Sequence, residues 1–251
     1  MHEGFFTTSD NVRLHYMTVG EGEPVVLLSG FSLPCTCWEQ NVEELAHHYR
    51  VCAFDYRAHG QSEAPGYGYQ IERLTKDFAE FVDFLGLETF SVIGHSMGNT
   101  LVWDYLSLYG GARVKKFVQV DQAPCMVADP SWGEEDRRRW LGLVHDRDMF
   151  DFGDFGKLFD DPTPANAGLK VILHNHFARD WRREVERVDV PTLIVMGGKS
   201  HNAEPLLWEW LRQAIKGSEF ATIGADEGGS HDLYSENSEK FNALVLDFLG
   251  R

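Results

Sequence analysis

The sequence predicts an α/β protein: a mostly parallel sheet flanked by helices, with a helical cap inserted late in the chain. Three observations carry that expectation. Apolar runs of strand length alternate with longer stretches whose apolar residues recur at helical spacing, the pattern of successive βα units. One such run, Phe90 to Ile93, passes straight into Gly94-His95-Ser96-Met97-Gly98 and then into a helical pattern. Over residues 126–188 the alternation stops, and charge and aromatic rings dominate.

The elements follow in order. Residues 4–8 and 12–19, separated by the turn signal Ser9-Asp10-Asn11, predict an N-terminal hairpin. Pro24–Leu28 and residues 51–54 are the next strands, and residues 74–85 form a helix with Phe78, Phe81, Val82 and Leu85 on its core face. Residues 90–93 form a strand, and residues 99–109 a helix whose apolar side holds Leu101, Val102, Tyr105 and Leu106. Val114–Val120, residues 192–196 and Glu219–Ile223 complete the strands, and residues 238–249 the final helix, through Phe241, Leu244, Val245 and Phe248. Residues 134–144 and 166–177 are the best helices of the cap. The expected division is therefore a core of residues 1–125 and 189–251 with a cap of 126–188.

Composition narrows the classes. The chain has 251 residues, 43% hydrophobic and 25% charged, enough to bury a substantial core and unlike a disordered chain. A net charge of −16 argues against nucleic acid or an anionic membrane as partner. No apolar stretch approaches the ~20 residues that span a bilayer, and Met1-His2-Glu3-Gly4 opens no secretory signal. Cys35-x-Cys37 is too tight for the usual zinc spacing, and Cys52 lies in an apolar run, so Cys35, Cys37, Cys52 and Cys125 are read as reduced thiols of a cytoplasmic protein. With no phosphate loop, nucleotide fingerprint or metal-ligand cluster evident, neither cofactor nor metal is expected.

Gly94-His95-Ser96-Met97-Gly98 fits the G-x-S-x-G turn, in which a strained strand-to-helix reversal lifts the serine hydroxyl above the sheet. Glycines two residues to either side leave room for so sharp a turn. A serine hydroxyl is a weak nucleophile at neutral pH and needs a base within hydrogen-bond reach. The base in turn needs a carboxylate to fix its tautomer and stabilise the imidazolium.

With Ser29-Gly30-Phe31-Ser32 after a strand, Asp55-Tyr56-Arg57-Ala58-His59-Gly60-Gln61-Ser62, and Gly228-Gly229-Ser230-His231 near the C-terminus, the chain resembles the α/β-hydrolase superfamily over nearly its whole length. The resemblance implies Ser96 as nucleophile and His231 as base. It places the oxyanion donors on the backbone amides of Phe31 and Met97, with Ser29 standing where the family commonly has histidine. Loss of one such donor costs about 2.7–4 kcal/mol in another serine hydrolase.

The acid departs from the common plan. The loop after residues 192–196 offers no carboxylate before Glu204, which begins the next helix, whereas Asp121 sits at the carboxyl end of the preceding strand. Some members of the superfamily place their acid there, and Asp121 is preferred over Glu204. His95 and Trp132 are expected to line the substrate pocket, and His59 to serve structure.

The activity implied is hydrolysis of a carboxylic ester or lactone through an acyl-enzyme. The cap aromatics suggest a small-molecule substrate with an apolar or aromatic group. Perhydrolysis uses the same triad. The chain is also similar to cofactor-independent dioxygenases of this fold, although those carry a substrate-contacting histidine where residues 30–34 have none. A ligand-binding member without turnover is the remaining alternative.

Overall fold

A computed structural model describes residues 1–125 and 160–251. Eight strands form one sheet in the order β1-β2-β4-β3-β5-β6-β7-β8. β1 (His2–Thr7) and β2 (Arg13–Val19) form the N-terminal hairpin, with Gly4 opposite Tyr16. Its turn closes through Thr8 N–H to Val12 O at 2.9 Å, with Asn11 at φ 64°. β2 runs antiparallel to β4 (Arg50–Phe54), while β4, β3 (Pro24–Leu28), β5 (Phe90–His95), β6 (Val114–Val120), β7 (Thr192–Gly197) and β8 (Glu219–Ile223) run parallel. β5 is buried at every position, as its near-continuous apolar sequence requires of a central parallel strand.

Helices cover both faces. On one lie α2 (Ile71–Phe84) and α3 (Met97–Tyr109), whose Phe78, Phe81, Val82, Leu101 and Val102 pack with Val26, Leu28, Phe54 and Val92. On the other, α1 (Glu39–Ala46) and the C-terminal helix (Ser238–Gly250) bring Val42, Leu45, Phe241 and Val245 against Val25, Leu27, Val118 and Val195. Alternate residues of each strand thus feed opposite cores, the period-two consequence of the pleat.

Among the described residues, two further helices, α4 (Pro164–Phe177) and α5 (Arg182–Val185), lie between β6 and β7 in the chain. α4 matches the helix expected over residues 166–177 and starts two residues earlier, because Thr163 accepts from the Asn166 amide as an N-cap and Pro164 occupies the first position. The helix expected over residues 134–144 falls outside the described residues, as does Trp132. α6 (Pro205–Ala214) joins β7 to β8, and the short α7 (Leu233–Glu236) precedes the C-terminal helix, α8. α1 is barely two turns long and acidic on its outer side, so its pattern does not stand out in sequence.

The loop after β4 is locked to the rest by charge. Arg57 is fully buried and donates to both Asp77 oxygens, at 2.7 and 2.8 Å, and to Asp10 at 3.1 Å. A guanidinium so placed must be paired on all sides, since an unpaired buried charge costs several kcal/mol, about 3–5 for a broken pair. Among the described residues no helix is long and apolar enough to cross a membrane.

Candidate active site

The carboxyl ends of β5, β6 and β8 converge on one point. Ser96 follows β5 with φ 51° and ψ −123°, a conformation that a residue with a side chain rarely adopts, and α3 begins at once with Met97. Backbone crowding sets the glycines on either side. A Cβ on Gly98 would lie 2.3 Å from the Leu28 carbonyl oxygen, and one on Gly94 would lie 2.9 Å from the Asn99 amide. The turn is braced by Asn99, whose Nδ2 donates to Ser96 O at 3.2 Å and to Val120 O at 2.8 Å. Asn99, a fully buried amide in the first turn of α3, carries no mark of this role in the sequence.

His231 lies in the loop after β8, within hydrogen-bond reach of two partners. Its Nε2 is 2.9 Å from Ser96 Oγ and its Nδ1 is 2.6 Å from Asp121 Oδ2. Because the carboxylate can only accept, Nδ1 carries the proton and Nε2 presents its lone pair to the serine hydroxyl. The loop can come this close because Gly197 and Gly229 have no side chains: a Cβ on Gly197 would meet Ser230 O at 2.4 Å, and one on Gly229 would meet Ile223 O at 2.0 Å.

Asp121 directly follows β6 with φ 46° and is completely buried. Burial by itself raises a carboxyl pKa, but hydrogen bonds from His231, Ser200 and the Gly197 amide hold that of Asp121 below the usual carboxylate value. Glu204, the other candidate, instead caps α6, accepting from the Leu206 amide at 3.3 Å. The structure brings Ser96, His231 and Asp121 into one hydrogen-bonded chain from positions far apart in sequence.

The segment after β3 completes the floor. A Cβ on Gly30 would sit 3.2 Å from Ser96 Cβ, so the Gly30 backbone lies directly beside the serine. Two residues of the β4 loop pin this segment. Tyr56 Oη donates to Ser29 O at 3.0 Å, and the Ser32 amide donates to His59 Nε2 at 3.0 Å. His59 can accept there only as a neutral ring, with Nδ1–H donating to Arg57 O, and burial keeps its pKa down at about 4. Ser29, where the family commonly has histidine, turns its hydroxyl to Pro34 O at 3.3 Å.

His95 sits behind the site. It is 1% exposed, and its Nε2–H donates to the backbone carbonyl of His231 at 2.9 Å. Burial, with the charge of His231 added, drives its pKa down to about 3, so it is neutral. Trp38 and Tyr234 flank its ring. The exposed His201 places its ring 4.3 Å from that of His231.

One other cluster offers metal-ligand atoms among the described residues: His15, Cys35 and Asp55, within 4.8 Å of one another. Its carboxylate is already occupied. Asp55 Oδ1 accepts from the Cys35 amide at 2.6 Å, and Oδ2 from His15 Nδ1 and the Gln61 amide, both at 2.9 Å.

Residues 23–201 match the family model for the alpha/beta hydrolase fold. The chain belongs to the α/β-hydrolase family. Within that family it is 29% identical to a putative non-heme chloroperoxidase of Synechocystis, over 96% of each chain. It is 26% identical to a pimeloyl-[acyl-carrier protein] methyl ester esterase of Nitrosospira multiformis, over 94% of this chain and 98% of that one. The fold is shared with the bromoperoxidase of Bacillus anthracis (TM-score 0.79, 24% identity, all of both chains). It is shared equally with the enol-lactonase of Burkholderia xenovorans (TM-score 0.78, 24% identity, 99% of this chain and 100% of that one).

Proposed function

We propose that this α/β-hydrolase is a serine hydrolase that cleaves a carboxylic ester or lactone through an acyl-enzyme. The observation that carries the reading is the chain of contacts from Ser96 Oγ through His231 to Asp121, at 2.9 and 2.6 Å. Ser96 Oγ attacks the carbonyl carbon as His231 Nε2 takes its proton, and Asp121 stabilises the imidazolium. The amides of Phe31 and Met97 donate to the developing oxyanion, in a segment that Tyr56 and His59 hold in place beforehand. His231 returns the proton to the leaving alkoxide, which a lactone keeps tethered to its acyl group. Water, deprotonated by the same nitrogen, then releases the acid and restores Ser96.

The substrate is read as a small molecule with an apolar or aromatic group, and the four free cysteines suit a cytoplasmic location. A second reading has a specific motive in the relative described as a putative non-heme chloroperoxidase. In it hydrogen peroxide replaces water at the acyl-enzyme and yields a peracid. A fluorophosphonate probe should label Ser96, and short p-nitrophenyl esters and simple lactones should be turned over by the wild type and not by Ser96→Ala. Unlabelled Ser96 in folded protein, or esterase activity surviving Ser96→Ala, would end the proposal. Peracid formation from acetate and hydrogen peroxide separates the second reading from the first.

A further inference from the structure

The loop after β7 is built around the Asp121 carboxylate. Ser200 Oγ donates to Asp121 Oδ2, and the Gly197 amide donates to Oδ1 at 2.9 Å. Asn202 Nδ2 lies 3.0 Å from Asp121 O and 3.3 Å from Oδ2. Each donor is itself held: Ser200 Oγ accepts from the Asn202 amide at 3.0 Å, and Asn202 O accepts from the Trp208 indole at 2.9 Å. Ser200 and Asn202 are both buried. Asp121 Oδ2 therefore serves His231, Ser200 and Asn202 together, in a place with no water-facing surface of its own.

We infer that Ser200 and Asn202 are positioning residues for the proposed reaction, fixing the Asp121 carboxylate in the orientation that meets His231 Nδ1. The inference rests on the serine-hydrolase reading above. A carboxylate at the end of a strand can rotate about its Cβ–Cγ bond, and a single histidine contact does not define that rotation. Ser200 and Asn202 reaching Oδ2 from the β7 loop, with the Gly197 amide on Oδ1, do. They also share the negative charge, so removing one leaves more of it to His231. Among the described residues, the titratable groups around His231 are Asp121 after β6, His95 from β5, His201 from the β7 loop, and the exposed Asp232 beside it, with His176 of α4 near enough to feel its charge. A substitution at 200 or 202 removes none of these groups and acts on His231 through Asp121.

The test uses the full chain as wild type, Ser200→Ala, Ser200→Thr and Asn202→Leu, with p-nitrophenyl acetate from pH 5 to 9 and a fluorophosphonate probe at Ser96. Loss of a hydrogen bond to a buried charged group should lower kcat about tenfold in Ser200→Ala and Asn202→Leu, with KM changed by less than about twofold. The acid limb of kcat/KM should move to higher pH by about half a unit, since the imidazolium then meets a less shared carboxylate. Ser200→Thr, which keeps the hydroxyl, should recover most of kcat. The downfield proton resonance expected for His231 Nδ1–H should shift in the Ala and Leu variants and not in Thr. If Ser200→Ala does not fold, Asn202→Leu and the Thr comparison carry the test. Wild-type kcat and an unmoved acid limb in folded variants, or a loss confined to KM, would overturn the inference. Failure to label Ser96 in the wild type would instead overturn the functional reading beneath it.

Discussion

Among the described residues two histidine–aspartate pairs have nearly the same length, and only one has the surroundings of an active site. His231 and Asp121 are 2.6 Å apart at the carboxyl end of the sheet, and His15 and Asp55 are 2.9 Å apart beneath the β4 loop. The His15 pair even has a thiol beside it, Cys35 Sγ, 3.9 Å from Nδ1. The first difference is which nitrogen meets the nucleophile. At His231 the carboxylate takes Nδ1 and leaves Nε2 for Ser96, whereas Cys35 crowds the nitrogen that Asp55 already holds. The second is access. The His231 side chain is 26% exposed and that of His15 only 3%, and burial pushes the Cys35 thiol pKa well above its ordinary value. Composition alone does not make a triad; the free nitrogen and the open face do.

The comparison breaks first if its active half is wrong. Ser96→Ala should lower kcat for ester hydrolysis by about 10⁴-fold or more, and Asp121→Asn by about 10⁴-fold, because the amide favours the wrong histidine tautomer. Steady-state assays on folded protein check both, and a loss under tenfold in either would remove the distinction between the pairs. Asp55→Asn should act on the other axis: it costs about 1–3 kcal/mol of stability by weakening three hydrogen bonds to a buried carboxylate, while kcat per folded molecule falls less than about tenfold. Urea denaturation beside the same assay separates these effects.

A pH series sharpens the contrast. His59, His95 and His176 are held neutral by burial, at about 4, 3 and 4. Their folded values lie below the unfolded value of about 6.5, so the unfolded chain binds more protons as pH falls between 6.5 and 4. Stability should therefore decline on acidification through that window, by up to about 1.4 kcal/mol per pH unit for each histidine. Urea midpoints from pH 7 to 4.5 would show it, and His59→Gln should lose its share of the slope. The smallest effects belong to Cys35→Ala and Glu204→Gln. Each should leave kcat within about twofold, with about 1 kcal/mol or less of stability lost in thermal melts.

Much of this was legible in the residues, and for physical reasons. Strands such as Pro24–Leu28, Val114–Val120 and Glu219–Ile223 are short apolar runs bounded by turn residues, and they form where the pattern places them. Ser96 is marked by glycines that only a tight reversal requires. Asp121 could be preferred over Glu204 because a carboxylate at a strand end points to the ligand side of a parallel sheet, and the structure puts it on His231. Ser200 and Asn202 were not legible as partners of Asp121, since their contacts cross from β7 to β6 and no local spacing encodes that approach. His95 shows the same limit: a residue beside the nucleophile was expected to face the pocket, and its ring instead turns inward to the His231 carbonyl.

The distance in sequence between the joined groups has a further consequence. Ser96 and His231 are 135 residues apart, and Asp121 and His231 are 110 apart, so their contacts exist only after β8 has docked on β7. During synthesis the serine emerges long before its base, and a partly folded chain holds an ordinary, unreactive hydroxyl. Labelling of Ser96 during refolding should thus lag behind formation of the β3–β5–β6 centre and report the last step of assembly. A misfolded molecule exposes no stray acylating serine to the cell, because reactivity arrives together with the finished sheet.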